Sequence, residues 1–284
     1  SVMLLLVLAF PINTLADSPI KVHVSILPHK YFVEKIGRDK VNVDVLVKPG
    51  KSPATYAPSP DQVKRLGRSE IYFKTGLPFE NGILYKIESM DKTKIIDINQ
   101  DLVLREMTGH SHDKKARHHS HAAGKDPHTW MNPLIVKIQA RTIYQTLSKF
   151  DPGNNAAYKT NYLAFIKELN MLDKRLHSIL KELNGKNIFV FHPFLGYFTD
   201  AYGLKQISIE TMGKAPKGKE LSRIIKLAKR EAVKKIFVQP QFDKNAANKI
   251  ASMINGRVIS IDPIAYDYLA NMEKIGKTIF RELK

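Results

Sequence analysis

Six of the ten histidines, His110, His112, His118, His119, His121 and His128, fall within nineteen positions. Neutral imidazole is the usual side-chain ligand for zinc and its neighbours. The chain has no cysteine, so a site for such a metal must use histidines and carboxylates, which suit zinc or manganese. The first five of these histidines lie irregularly among Gly, Ala, Ser and Lys, in a stretch (105–125) without hydrophobic period. That pattern predicts a flexible surface loop, with the His-rich part at 109–124. Ordering such a loop around an ion costs conformational entropy, but several histidines on one tether still raise the local metal concentration. The five therefore read as an auxiliary capture loop, and an inert solvated insertion is the alternative that Lys114, Lys115 and Arg117 favour. His128 differs. It sits in "DPHTWMNP" with Trp130 and Pro133 beside it, an ordered segment suited to a fixed site.

The elements around it are α/β. "KVHVSILP" (21–28) alternates like a strand, and "KYFVEKIG" reads as a helix with Gly37 as its C′ residue. "VNVDVLVKPG" is a strand stopped by Pro-Gly. Ser59 and Pro60 predict an N-cap and a first helical position, leading to the strands "IYFKTG" and "KIIDIN". Strands alternating with helices imply a parallel sheet. From Tyr158 to Leu183 apolar residues recur in steps of four and three, which predicts one long helix within Asp151–Lys186, ended by Gly185. Beyond it the pattern returns: "NIFVFHPFLGYFTDAYGL" resembles "VHVSILPHKYFVEKIG", and "RVISIDP" resembles "KIIDINQ". The expected architecture is two similar parallel-sheet α/β lobes, 17–150 and 187–284, joined by one long backbone helix at 151–186. A metal cleft is expected between the lobes, beyond the strand ends.

Four candidates fall there: His29 after the first strand, His192 at what looks like the matching strand end of the second lobe, Asp262 after the last strand, and His128. Three imidazoles and one carboxylate satisfy a tetrahedral zinc ion. Taken singly, His29 is open to a capping role, His192 to a core role and Asp262 to capping a turn. His23, inside a strand, and His177, in the long helix, read as structural.

Residues 1–16 read as a signal peptide, with an apolar run Val2–Phe10 and cleavage after Ala16. Export without cysteine fits free periplasm and excludes both a thiol-linked lipid anchor and a disulfide framework. The net charge of +18 is spread along the chain with no nucleic-acid motif. It reads as a solvated surface, or as a loose attraction to anionic lipid head groups. A zinc hydrolase would need a general base. Glu210 is the best candidate, but no His-Glu-x-x-His motif accompanies it, and no enzyme activity is expected.

"DPHTWMNP", "FHPFLGYFTDAYGL", "VQPQF" and "SIDP" together resemble the cluster A-I solute-binding proteins of zinc and manganese ABC importers, most of all the periplasmic zinc-uptake type. The resemblance spans nearly the whole mature chain. It implies a monomeric receptor that delivers Zn2+ to an inner-membrane ABC permease; a receptor for Mn2+ or a metal chelate is the alternative. Carried over by motif, the second ligand falls on His128, the third on His192 and the fourth on Asp262. A histidine at the third position leans toward zinc. The first ligand is missing: in "PGKSPATYAPSP", Ala54 stands where the family has histidine, and Ala57 where it has an acid. The internal repeat suggests His29 as the substitute.

Overall fold

The computed structural model describes residues 18–107, 124–210, 216–242 and 244–284. The expected signal segment and the five loop histidines lie outside them. Among the described residues, no helix is long and apolar enough to cross a membrane.

The first lobe holds β1 (Ile20–Val24), α1 (Leu27–Gly37), β2 (Val41–Val45), α2 (Pro60–Leu66), β3 (Ile71–Lys74), α3 (Asn81–Glu88) and β4 (Lys94–Asp97). Ser59 caps α2 through the Gln62 amide, and Gln62 returns the contact to the Ser59 N–H, a reciprocal cap. At the end of α1 the left-handed residue is Arg38 (φ 50°), one position later than expected. Gly37 serves another need: a β-carbon there would stand 2.4 Å from Val41. Next come α4 (Pro133–Phe150) and the 26-residue α5 (Asn155–Leu180). The second lobe holds β5 (Asn187–Val190), α6 (Gly196–Tyr202), β6 (Lys205–Ser208), α7 (Gly218–Arg230), β7 (Lys235–Val238), α8 (Lys244–Met253), β8 (Arg257–Ser260) and α9 (Tyr268–Leu283).

All strand pairs are parallel, in the orders β2-β1-β3-β4 and β6-β5-β7-β8, one topology used twice. The long helix buries Tyr158, Phe165, Leu169, Leu172 and Leu176 of the expected four-three stripe, and Leu180 in addition, against α1, α4 and α9. One hydrophobic core thus runs through both lobes, and truncating Leu172 to Ala would cost about 2–5 kcal/mol.

The backbone register aligns the two strand-end regions. Leu46 N donates to Val24 O and Val47 N to Ser25 O, both at 3.0 Å; Ile209 N donates to Val190 O at 2.9 Å and Glu210 N to Phe191 O at 3.0 Å. Val47 therefore matches Glu210, and Ile26, one residue beyond Ser25, matches His192. Ile98 N to Lys74 O matches Ile261 N to Val238 O, which places Asn99 opposite Asp262. The expected equivalence of His29 and His192 does not hold: His29 lies three residues beyond Ile26, in the first turn of α1.

Candidate metal centre

His128 follows Asp126-Pro127 and precedes a single turn, Thr129–Met131. Asn132 ends that turn and caps α4 by accepting from Leu134 N at 2.9 Å, with Pro133 at the first helical position. The imidazole is 6% exposed. Asp126 Oδ1 accepts from the His128 N–H at 3.0 Å and lies 2.7 Å from His128 Nδ1. Burial pushes the Asp126 carboxyl up, but hydrogen bonding and charge from His128, with Arg105, outweigh this and hold it below the usual range. Trp130 packs on the His128 ring at 5.2 Å. Its indole N–H donates to Pro263 O at 2.9 Å, and Tyr268 donates to its carbonyl at 2.8 Å. The segment is thereby tied to the second lobe.

His192 stands two residues beyond β5, before Pro193 and α6. Its Nδ1 is hydrogen-bonded to Glu210 Oε1, and Glu210 is 2% exposed. Burial lowers the His192 pKa, against the pull of Glu210. Phe242 stacks on the ring at 4.9 Å. The His128 and His192 rings lie 5.3 Å apart. Both have Nδ1 on a buried carboxylate, and neither Nε2 has a hydrogen-bond partner among the described residues. A carboxylate on Nδ1 fixes the proton there and leaves the Nε2 lone pair free and more basic, the arrangement of zinc-binding histidines.

The other two predicted residues are not brought into this pair. His29 is fully buried, with its ring against Phe32 at 5.5 Å and Trp130 at 5.9 Å. Its Nδ1 meets the Thr75 hydroxyl at 3.0 Å, and its Nε2 is buried without a partner among the described residues. Burial lowers its pKa to about 3. Asp262 Oδ1 accepts from Gln241 Nε2 at 2.8 Å and from Ile264 N at 3.0 Å. It adjoins Pro263, the acceptor of the Trp130 indole. Trp130 is thus a hub touching His29, His128 and the residue after Asp262. Among the described residues, no three His, Asp or Glu side chains stand close enough together to hold one ion. Ala54 is exposed, on a short turn.

Glu210 is engaged by His192, so it is not the unencumbered base that a hydrolase would use. His23 is buried, 2.5 Å from Ser69 Oγ, and burial lowers its pKa to about 4. His177 lies on α5 against Tyr202, near its own helix carbonyl Asp173 O. Sequence reasoning missed Asp126 and Arg105. Asp126 was detectable: an acid two residues before a histidine, with Pro between, is set to accept from that histidine's N–H. Arg105 left no local signal, because its partners lie 21 and 95 positions away.

A family model described as zinc-uptake complex component A, periplasmic (ZnuA), matches residues 22–281. The high-affinity zinc uptake system protein ZnuA of Yersinia pestis is 28% identical over 279 residues, 91% of this chain and 86% of that protein. Zinc-binding protein AdcA of Streptococcus pyogenes is 27% identical over 256 residues, 85% of this chain but 49% of AdcA, so the chain spans about half of that relative. A crystal structure of ZnuA superposes with a TM-score of 0.84 at 36% identity, covering 94% of this chain and all of that one. A zinc-bound deletion mutant of ZnuA does so with 0.84 at 36%, covering 93% and 98%. The protein FpvC of Pseudomonas aeruginosa, in complex with Mn2+, shares the fold, with a TM-score of 0.80 at 24% identity over 93% of this chain and 98% of its own. The paired strand orders and the long helix agree with these likenesses, and the chain belongs to the ZnuA family of zinc-uptake components.

Proposed function

We propose that this protein is a periplasmic solute-binding receptor that captures Zn2+ and delivers it to an ABC permease in the inner membrane, without catalysing a reaction. One observation carries the reading: His128 and His192 stand ring to ring, each with Nδ1 on a buried carboxylate and Nε2 without a hydrogen-bond partner among the described residues. Neutral imidazoles suit zinc better than the harder Mn2+. His29 and Asp262 are the proposed further ligands, since His29 packs on Trp130 and Asp262 precedes Pro263, which accepts from the Trp130 indole that packs on His128. A small rearrangement around that indole would have to bring them in. The bound ion is cargo, so affinity falls on acidification as the imidazoles take up protons. The histidines of 109–124 are proposed to raise local zinc near the site.

Calorimetric titration of the metal-stripped protein tests the reading. One tight Zn2+ equivalent is expected, lost in His192→Ala, with Mn2+ much weaker. Tight Mn2+ binding with weak zinc would instead favour the manganese receptor. Retained affinity in His29→Ala would remove His29 from the ligand set and leave the rest standing.

A further inference from the structure

We propose that Arg105 is a positioning residue for metal capture: it clamps the two lobes together around Asp126 and so sets His128 against His192. The inference rests on the zinc-receptor reading and adds a residue outside its ligand set.

Residues 105–107 and 124–126 form a short antiparallel stem where the His-rich stretch leaves and rejoins the fold. Asp126 N donates to Arg105 O at 2.9 Å and Met107 N to Gly124 O at 3.0 Å, with Glu106 and Lys125 paired between them. Tyr197 of α6 in the second lobe closes the stem. Its hydroxyl accepts from Arg105 N and donates to Asp126 O, both at 3.1 Å. The Arg105 guanidinium then turns back along this seam. Nη1 lies 3.5 Å from Asp126 Oδ2 and Nε 3.2 Å from Asp200 Oδ2 of α6, with the group over the Tyr197 ring at 5.8 Å.

Asp126 divides its oxygens between two tasks: Oδ1 serves His128, and Oδ2 faces Arg105. The carboxylate is 1% exposed. A buried carboxylate is stable as an ion only with compensating partners, and Arg105 is the cation facing it. The seat for that cation is built into the sequence. A β-carbon on Gly196 would stand 1.4 Å from Arg105 Nη1 and 2.7 Å from Asp126 Oδ2. Glycine at the start of α6 is therefore required by the close approach. The stretch from His192 to Tyr197 thus carries both a candidate ligand and the floor of the clamp, so the clamp bears directly on the His128–His192 distance.

The test is zinc titration of Arg105→Gln, Arg105→Lys, Gly196→Ala and Asp126→Asn, with Arg175→Gln as control; Arg175 pairs with Glu273 on the outside of the helices. Arg105→Gln and Gly196→Ala should each weaken zinc by about 10-fold, the low end for groups supporting a ligand. Arg105→Lys should recover part of the loss, and the control should bind as wild type. Arg105→Gln combined with Asp126→Asn should lose no more than Asp126→Asn alone, because both act through one carboxylate. Additive losses would mean a merely structural role and overturn the proposal, as would unchanged affinity in Arg105→Gln. Should the glutamine variant fail to fold, Arg105→Lys and Gly196→Ala carry the same decision. A wild-type protein that takes up no zinc overturns the receptor reading itself, which separates the two failures.

Discussion

The two lobes share a strand order but not a chemistry. At the strand ends of the second lobe the chain places His192, Glu210 and Asp262. At the matching register of the first lobe it places Ile26, Val47 and Asn99. Ile26 and Val47 are buried among the apolar core, and the Asn99 amide is spent inside the lobe, donating to Thr75 O and accepting from Thr129 and Gln139. The first lobe contributes its carboxylate-backed histidine differently, from the crossing segment that carries Asp126 and His128. A duplicated backbone therefore supplies equivalent positions, but the side chains there decide which lobe meets an ion and which only packs.

The contrast can be broken most forcefully by importing the second lobe's acid into the first. Val47→Glu puts a carboxylate into the hydrophobic core that Val47 helps to form. It should destabilise the fold by about 3–5 kcal/mol, as an uncompensated buried charge does, read as a fall in the urea midpoint. A stable Val47→Glu protein would show that the lobes are less different than the register implies. Next in size, His192→Ala should weaken zinc by more than about 100-fold, beyond the range for supporting groups. Glu210→Gln should cost about 10–100-fold while leaving Zn2+ stoichiometry at one; no loss would mean that the Glu210 contact does not orient the ring.

Counted per histidine and per pH unit, the smallest effect is on stability against pH. His29 and His23 have folded pKa values lowered to about 3 and about 4, against 6.5 in the unfolded chain. Between those values the unfolded state binds more protons, so stability is complete above pH 6.5 and is lost as pH falls below it. The slope is up to about 1.4 kcal/mol per pH unit for each histidine. Urea midpoints at pH 7 and pH 5 should show it, and His29→Leu should reduce the slope by one proton. A flat profile would mean that these imidazoles are solvated.

Much of the fold was legible because its signals are local. Alternation gave the strands, and the four-three spacing from Tyr158 gave the long helix. The 18-residue α4 went unread, although Val136, Ala140, Ile143 and Leu147 carry the same spacing and are all buried. For the site, His128 was marked by an ordered segment with Trp130 and Pro133 beside it, and His192 by its place at a strand end. What sequence could not supply was register. The likeness of "ILPHKYF" to "FHPFLGYF" aligned His29 with His192, whereas the hydrogen bonds align Ile26. The partners Glu210 and Arg105 depend on contacts 18 to 95 residues apart, which no local pattern encodes.

The central claim is that His128 and His192 keep their protons on Nδ1, against Asp126 and Glu210, and offer Nε2 to the ion. Long-range 15N–1H NMR of the protein with and without one equivalent of Zn2+ tests it directly. The account predicts protonated Nδ1 in both rings before and after loading, with both Nε2 resonances moving to metal-bound positions. Coordination through Nδ1, or either Nε2 left unchanged by zinc, would contradict it.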